Sequence, residues 1–240
     1  MLKDKVAIIT GATRGIGKAI AFRLAKEGMK LSLVGSSDEI RKTAEELKAK
    51  GYSDVVASQA DVTKEADVTR FVQETLEAYG QIDLLVNNAG IGFFKEVVDT
   101  TVEEWSKLFE VNVQGVFLSS KGVLPHMKEK KSGTIVTISS DVARYTIPNG
   151  SAYTASKYAV QGFCGSLAQE VRGDRIRVGT INPGMVDTYF ANSTQGLPEK
   201  EDWLKVENIA DAVVYMASAP PHMLIDEIIL HPFAQNYPIA

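Results

Sequence analysis

The sequence predicts an α/β protein, a doubly wound sheet of seven parallel strands with helices on both faces, and two observations carry that expectation. Short apolar runs recur at 5–10, 31–35, 55–59, 82–86, 134–138, 176–181 and 226–230, and between them lie amphipathic stretches or loops. Runs that are apolar on both faces and joined by helical crossovers belong in a parallel sheet covered on both sides; a half-exposed strand would alternate polar with apolar residues. The first unit shows the pattern most clearly. Lys5-Val6-Ala7-Ile8-Ile9-Thr10 stops at a Gly-rich turn and passes into Ile16-Gly17-Lys18-Ala19-Ile20-Ala21-Phe22-Arg23-Leu24, whose apolar residues have helical spacing.

A length of 240 residues suits one sheet of this size, so a single domain over 1–240 is expected. Two segments interrupt the alternation. The helical stretch from Val102 to about Lys131 contains Pro125, which should bend or end it. At about 187–200, Asn, Ser, Gly and Pro collect without periodicity, which reads as a mobile loop over a substrate site. Internal repeats and low-complexity tracts are absent from the sequence.

Composition narrows the function. Hydrophobic residues make up 45% and charged residues 23%, the balance of a globular domain that can bury a core. A net charge of -4, with basic residues spread along the chain, gives no footprint for nucleic acid or an anionic membrane surface. No apolar run approaches the length of a bilayer span. The one cysteine, Cys164, cannot form an internal disulfide, and the N-terminus has no secretory pattern, so the cytoplasm is the expected location. His126, His222 and His231 stand apart from other ligand types at metal spacing, so no metal is expected. Cys164 reads as a packed thiol, and Trp105 with Phe109 as part of an apolar helix face.

Three constellations carry chemistry. Thr10-Gly11-Ala12-Thr13-Arg14-Gly15-Ile16-Gly17 lies between a strand and a helix, where glycines admit a pyrophosphate and the helix N-terminus offers free N–H groups. Alone, it could be a tight turn with no ligand. Asn87-Asn88-Ala89-Gly90 follows the strand at 82–86, at the carboxyl edge where ligands bind in open α/β sheets, though it too could be only a turn. Tyr153 and Lys157 are four residues apart on a predicted helix and share a face. A nearby cation favours the ionised phenol, which would let Tyr153 act as a general acid and base; the same pair on a solvated helix would mean nothing. Ser140 places a hydroxyl at another strand end.

Together these residues resemble the short-chain dehydrogenase/reductase family over nearly the whole chain, with Thr10-Gly11-x-x-x-Gly15-x-Gly17, Asn87-Asn88-Ala89-Gly90 and Tyr153-x-x-x-Lys157 in the family's order. The resemblance implies a Rossmann fold and a hydride passing between nicotinamide and a carbonyl carbon. It makes Tyr153 the proton donor, Ser140 the group that holds the oxygen, Lys157 the ribose ligand, and Asn112 the residue that fixes a water beside Lys157. It also assigns cofactor contacts to Gly11, Thr13, Arg14, Gly15, Ile16, Gly17, Asn88, Ala89 and Gly90. Asp61 and Val62 would lie at adenine, and Pro183, Gly184, Val186 and Thr188 at the nicotinamide. A homotetramer or homodimer through the helices at 102–125 and after Ser151 is implied as well.

Cofactor choice and substrate are read from departures. NAD-preferring relatives place an acid where this chain has Gly35; Ser36 and Ser37 follow, and Arg14 lies in the Gly turn, so NADP(H) is expected over NAD(H). The chain ends Ile225-Asp226-Glu227-Ile228-Ile229-Leu230-His231-Pro232-Phe233-Ala234-Gln235, resembling NADP-dependent reductases of small carbonyls and 3-hydroxy acids. With a short polar loop at 187–200, this points to a small or moderately sized substrate. Reduction of 3-oxoacyl groups on acyl carrier protein is the second enzymatic reading, and a nucleotide-sensing binding protein the alternative outside enzymes.

Overall fold

In the computed structural model, residues 2–236 are described; Met1 and residues 237–240 of the expected 1–240 domain lie outside them. The strands are β1 (Val6–Thr10), β2 (Lys30–Gly35), β3 (Val55–Gln59), β4 (Leu84–Asn87), β5 (Gly133–Ile138), β6 (Ile176–Pro183) and β7 (Glu227–Leu230). The helices are α1 (Gly15–Lys26), α2 (Ile40–Ala49), α3 (Glu65–Tyr79), α4 (Val102–Phe109), α5 (Gly115–Lys130), α6 (Ser151–Val171) and α7 (Val206–Ala217). The strands form one parallel sheet in the order β3-β2-β1-β4-β5-β6-β7. This is the expected doubly wound fold.

Strand side chains alternate between two apolar layers. Ala7 and Ile9 of β1 join the core formed with Ile20 and Leu24 of α1, Leu47 of α2 and Val213 of α7. Ile8 joins the opposite core, with Phe71 of α3, Val123 of α5 and Leu167 of α6. Both layers are apolar because helices cover both faces, which is why the strands read as continuous apolar runs. The chain winds outward from β1 to β3 and returns to β4, so the connections leaving β1 and β4 diverge and open a crevice at their carboxyl ends.

The long helical stretch breaks earlier than Pro125. Between α4 and α5 lies a π-helical turn, Glu110–Gln114, and α5 then continues through Pro125. A π turn inserts an extra residue and redirects a side chain. Here it carries Asn112, which bonds the backbone of Ile91 in both directions at 2.9 Å. The segment at 187–200 is fastened from within. Lys200, only 3% exposed, donates to the carbonyls of Thr188 at 2.9 Å and Thr194 at 2.5 Å. A buried lysine acting as a loop pin is invisible to composition, which counts it as solvated.

Candidate active site

The cofactor turn is held by its neighbours along the sheet edge. Gly11 has φ +65°, and a Cβ there would stand 2.8 Å from Ala89 Cα. A Cβ at Gly17 would collide with the Gly11 carbonyl and the Asn88 amide. Asn88 Nδ2 donates to the carbonyls of Thr10 and Gly11, each at 3.0 Å, while Thr10 Oγ1 accepts from the N–H groups of Asn88 and Ala89 at 3.1 Å. The second motif therefore braces the first. α1 starts at Gly15 with Arg14 at its N-cap, no side-chain cap and no acid in the first turn. Uncapped N–H groups at Gly15, Ile16 and Gly17, with the partial positive charge of the helix end, suit a phosphate group.

The remaining expected cofactor residues lie around that turn. Thr13 Oγ1 fills the space beside Gly35, 2.5 Å from where a Cβ would be. Ser36 and Ser37 are exposed past the end of β2. After β3, Asp61 accepts from the Thr63 N–H at 3.0 Å and hydroxyl at 2.8 Å, and Val62 is buried next to it. Gly90 lies beside Asn112 Oδ1. Pro183 ends β6, the Gly184 N–H donates to Leu230 at 2.8 Å, Val186 bridges to Leu204, and Thr188 Oγ1 accepts from Phe190 N–H at 3.2 Å. All of these stand at carboxyl ends of strands, so the fold brings the sequence-predicted set to one edge.

The catalytic candidates meet at the adjoining edge. Ser140 follows β5 and caps the short turn Asp141–Ala143. Tyr153 and Lys157 project from α6 one turn apart, and the Tyr153 hydroxyl is a hydrogen-bond partner of Ser140. Asn112 joins this helix by donating to Ser156 Oγ at 3.2 Å. Phe94 and Phe190 pack against the Tyr153 ring with centroids at 5.8 and 5.3 Å.

Electrostatics here differ from the expectation for Tyr153. Burial pushes its hydroxyl above the ordinary tyrosine value; Ser140 offsets part of that, and the Asp141 carboxylate adds to it. Lys157 does not draw the phenol down in this geometry. Its Nζ donates to the Ile138 carbonyl at 3.3 Å and lies 5.6 Å from the Tyr153 ring centroid. Burial lowers Lys157 itself to about 8. A buried ammonium with one long backbone hydrogen bond has donors to spare, which suits a ribose diol.

Several residues at the site were missed by sequence reasoning. Phe190 comes from the loop taken as polar, where averaging over the segment hid one aromatic side chain. Tyr189 of the same loop places its ring centroid 5.2 Å from the guanidinium carbon of the exposed Arg14. Asp141, 6% exposed, and Gln235 reach the site from beside Ser140 and from the C-terminal segment. The unusual ending at 225–235 was the available signal. Cys164 is buried, and burial raises its thiol to about 11. Among the described residues no cluster of His, Cys, Asp and Glu could hold a metal ion, and no helix is long and apolar enough to cross a membrane.

Comparison with known proteins defines the class. A family model described as short chain dehydrogenase matches residues 5–197. An uncharacterized oxidoreductase of Staphylococcus saprophyticus is 35% identical over 232 residues, covering 96% of this chain and 98% of the relative. Among solved structures, an alcohol dehydrogenase from Thermococcus sibiricus complexed with 5-hydroxy-NADP superposes with a TM-score of 0.92 at 36% identity, covering 98% and 99% of the two chains. A 3-ketoacyl-(acyl-carrier-protein) reductase from Brucella melitensis complexed with NADH gives 0.87 at 31% identity, covering 96% and 98%. The chain belongs to the short-chain dehydrogenase family and is an NAD(P)-dependent oxidoreductase acting between CH–OH and C=O groups.

Proposed function

We propose that this enzyme interconverts a small or moderately sized ketone or aldehyde, or a 3-hydroxy acid and its ketone, with the corresponding alcohol, using NADP(H) in preference to NAD(H). The single observation that carries the reading is the buried Ser140–Tyr153 hydroxyl pair, with Lys157 one helical turn behind it. The nicotinamide cofactor supplies the hydride when bound. Tyr153 gives its proton to the carbonyl oxygen, Ser140 orients that oxygen, and Lys157 holds the ribose with its ammonium. Asn112, fastened to Ile91 and Ser156, keeps the π turn against α6 and positions a water for Lys157.

Preference for NADP(H) is supported by the missing acid at Gly35, the exposed Ser36 and Ser37, and Arg14 beside the turn. The relative from Thermococcus sibiricus carries an NADP derivative. Phe94 and Phe190 around Tyr153 favour a substrate with an apolar substituent next to its carbonyl. A second reading, 3-oxoacyl reduction, is favoured by the likeness to the Brucella reductase. The exposed Trp105 and Phe117, on either side of the π turn, support a homodimer or homotetramer through α4, α5 and α6. A cytoplasmic location is part of the same reading. The test is NADPH absorbance across ketones, diketones, aldehydes, 3-hydroxy acids and a 3-oxoacyl thioester. Turnover of the thioester alone would overturn the small-carbonyl reading in favour of the second.

A further inference from the structure

A chain of hydrogen bonds runs from Met185, two residues past the end of β6, to the Ser140 hydroxyl through two side chains. Met185 N–H donates to Gln235 Oε1 at 2.8 Å. Gln235 Nε2 donates to Asp141 Oδ2 at 2.6 Å. Ser140 Oγ donates to Asp141 Oδ1 at 3.1 Å. His231 Nε2 also lies 3.3 Å from Asp141 Oδ2. Asp141 is 6% exposed, and a buried carboxylate is tolerable only when donors surround it.

The polarity of this chain is fixed at its far end. A backbone N–H can only donate, so Gln235 must turn its oxygen to Met185 and its amide nitrogen to Asp141. Asp141 then accepts on both oxygens, and the Ser140 hydrogen is its second donor. Gly184, next to Met185, has no side chain, and a Cβ there would collide with Gln235 Oε1. The close approach of the C-terminal segment therefore depends on that glycine.

We propose that Gln235 and Asp141 are positioning residues that set the direction of the Ser140 hydroxyl and tie it to the Met185 backbone just past β6, so that substrate oxygen and nicotinamide segment keep a fixed relation. This rests on the reading of Ser140 as the residue that orients the substrate oxygen. Asp141 competes with the substrate for the Ser140 proton. Gln235 weakens that competition by drawing carboxylate charge to Oδ2. Loss of the Gln235 donor turns more of that charge toward Ser140 and Tyr153, which opposes carbonyl polarisation and should lower kcat more than it raises KM.

A polarity swap tests this more sharply than truncation. Gln235→Glu keeps the length of the side chain and the acceptor for Met185 but sets two carboxylates together. Asp141→Asn can keep the Gln235 bond by turning its oxygen to Gln235 Nε2, but its amide nitrogen then donates to Ser140 Oγ and reverses the direction of that bond. Combined, Asn at 141 donates to Glu at 235, and every bond of the chain is restored. Each single variant should lose on the order of tenfold or more in kcat, and the double variant should recover most of it. NADPH affinity, read by fluorescence, should change little, and hydrogen exchange at the Met185 amide should stay slow in Gln235→Glu and quicken in Gln235→Leu.

Wild-type kcat in Gln235→Glu, or a double variant no better than the worse single one, would overturn the proposal. If a single variant fails to fold, the double variant and Gln235→Leu still decide: unaltered kcat in Gln235→Leu is fatal to it. Ser140→Ala serves as the control for the underlying reading. Should that variant keep full turnover, the role of Ser140 itself is wrong; should it lose turnover while the Gln235 variants do not, only the positioning chain is wrong.

Discussion

The cofactor turn and the substrate end of the site sit on the same sheet edge but are assembled differently. Between Thr10 and Gly17 the turn is built from consecutive residues, and its brace, Asn88 with Ala89, is a second short motif. Around Tyr153, by contrast, Phe94, Ser140, Phe190 and Gln235 arrive from four separate segments. A backbone site needs residue types at fixed local spacing, whereas a site of side chains needs only that the fold deliver them. The first can be read from a string and the second largely cannot.

The largest expected effect falls on the substrate end. Tyr153→Phe keeps the ring between Phe94 and Phe190 and removes only the hydroxyl bonded to Ser140. Turnover should fall about 10²–10⁴-fold, with NADPH affinity preserved. Near-normal kcat would break the division of labour between the two regions, because proton transfer would then have to come from elsewhere.

Lys157 belongs to both regions, and its stability effect runs opposite to its function. Burial lowers it from 10.5 to about 8, so at pH 7 the folded state carries a charge that burial penalises. Between pH 8 and 10.5 the unfolded chain binds more protons than the folded one, and wild-type stability gains from this group as pH rises. Lys157→Met should therefore stabilise the protein at pH 7, by at most about 3 kcal/mol, while abolishing turnover. That gain should shrink through the window and vanish above it. Urea midpoints at pH 7 and near the top of the window check the sign; a variant less stable at pH 7 would mean that the ammonium is well compensated where it lies.

How much was legible follows the same division. The inner strands appeared as apolar runs because both their faces are covered, the edge strands β3 and β7 kept short apolar runs although partly exposed, and the errors are confined to ends such as β4, which starts at Leu84 once Asp83 turns its carboxylate to the Val6 N–H and Lys130. Ser140, Tyr153, Lys157 and Asn112 were singled out from motif order and family resemblance, and the fold sets Ser140 beside Tyr153, Lys157 one turn along α6 and Asn112 against Ser156. Their electrostatics were not legible: the upward push on Tyr153 comes from its burial and from the Asp141 carboxylate, which no local spacing encodes. Pro125 drew attention as the obvious break, yet the irregularity at the site is the π turn at Glu110–Gln114, which carries Asn112 to its bonds with Ile91 twenty-odd residues away. Lys200 and Gln235 carry no local signal of the contacts they make, because their partners are backbone atoms or lie far along the chain.

Cofactor preference gives a smaller effect and sharpens the comparison from the local side. Arg14→Ala should lower kcat/KM for NADPH about tenfold and leave NADH nearly unchanged, the loss expected for one charge-assisted contact with a 2′-phosphate. Placing an acid at Gly35 is the less clean counterpart. Its Cβ would stand 2.5 Å from Thr13 Oγ1 and 3.1 Å from Ile40 Cβ, so Gly35→Asp alters packing together with charge. Equal loss with both cofactors in Arg14→Ala would place the guanidinium at the shared pyrophosphate.

The smallest expected effect tests whether the two regions communicate at all. Arg14 and Tyr189 are their one cation–aromatic contact among the described residues, with 5.2 Å from the guanidinium carbon to the ring centroid, and such a pair at an exposed position contributes about 0.5–1 kcal/mol. Tyr189→Leu removes the ring's electrostatic hold while keeping apolar bulk. If the stack serves to aim Arg14, KM for NADPH should rise by about two- to fivefold, as that energy implies, with NADH unaffected. If it serves only to hold the loop, KM for the carbonyl substrate should change equally with either cofactor, because Phe190 follows Tyr189 and would move with it. Measuring both KM values with both cofactors separates these outcomes: a loss specific to NADPH joins the local site to the assembled one, and a loss blind to cofactor keeps them independent.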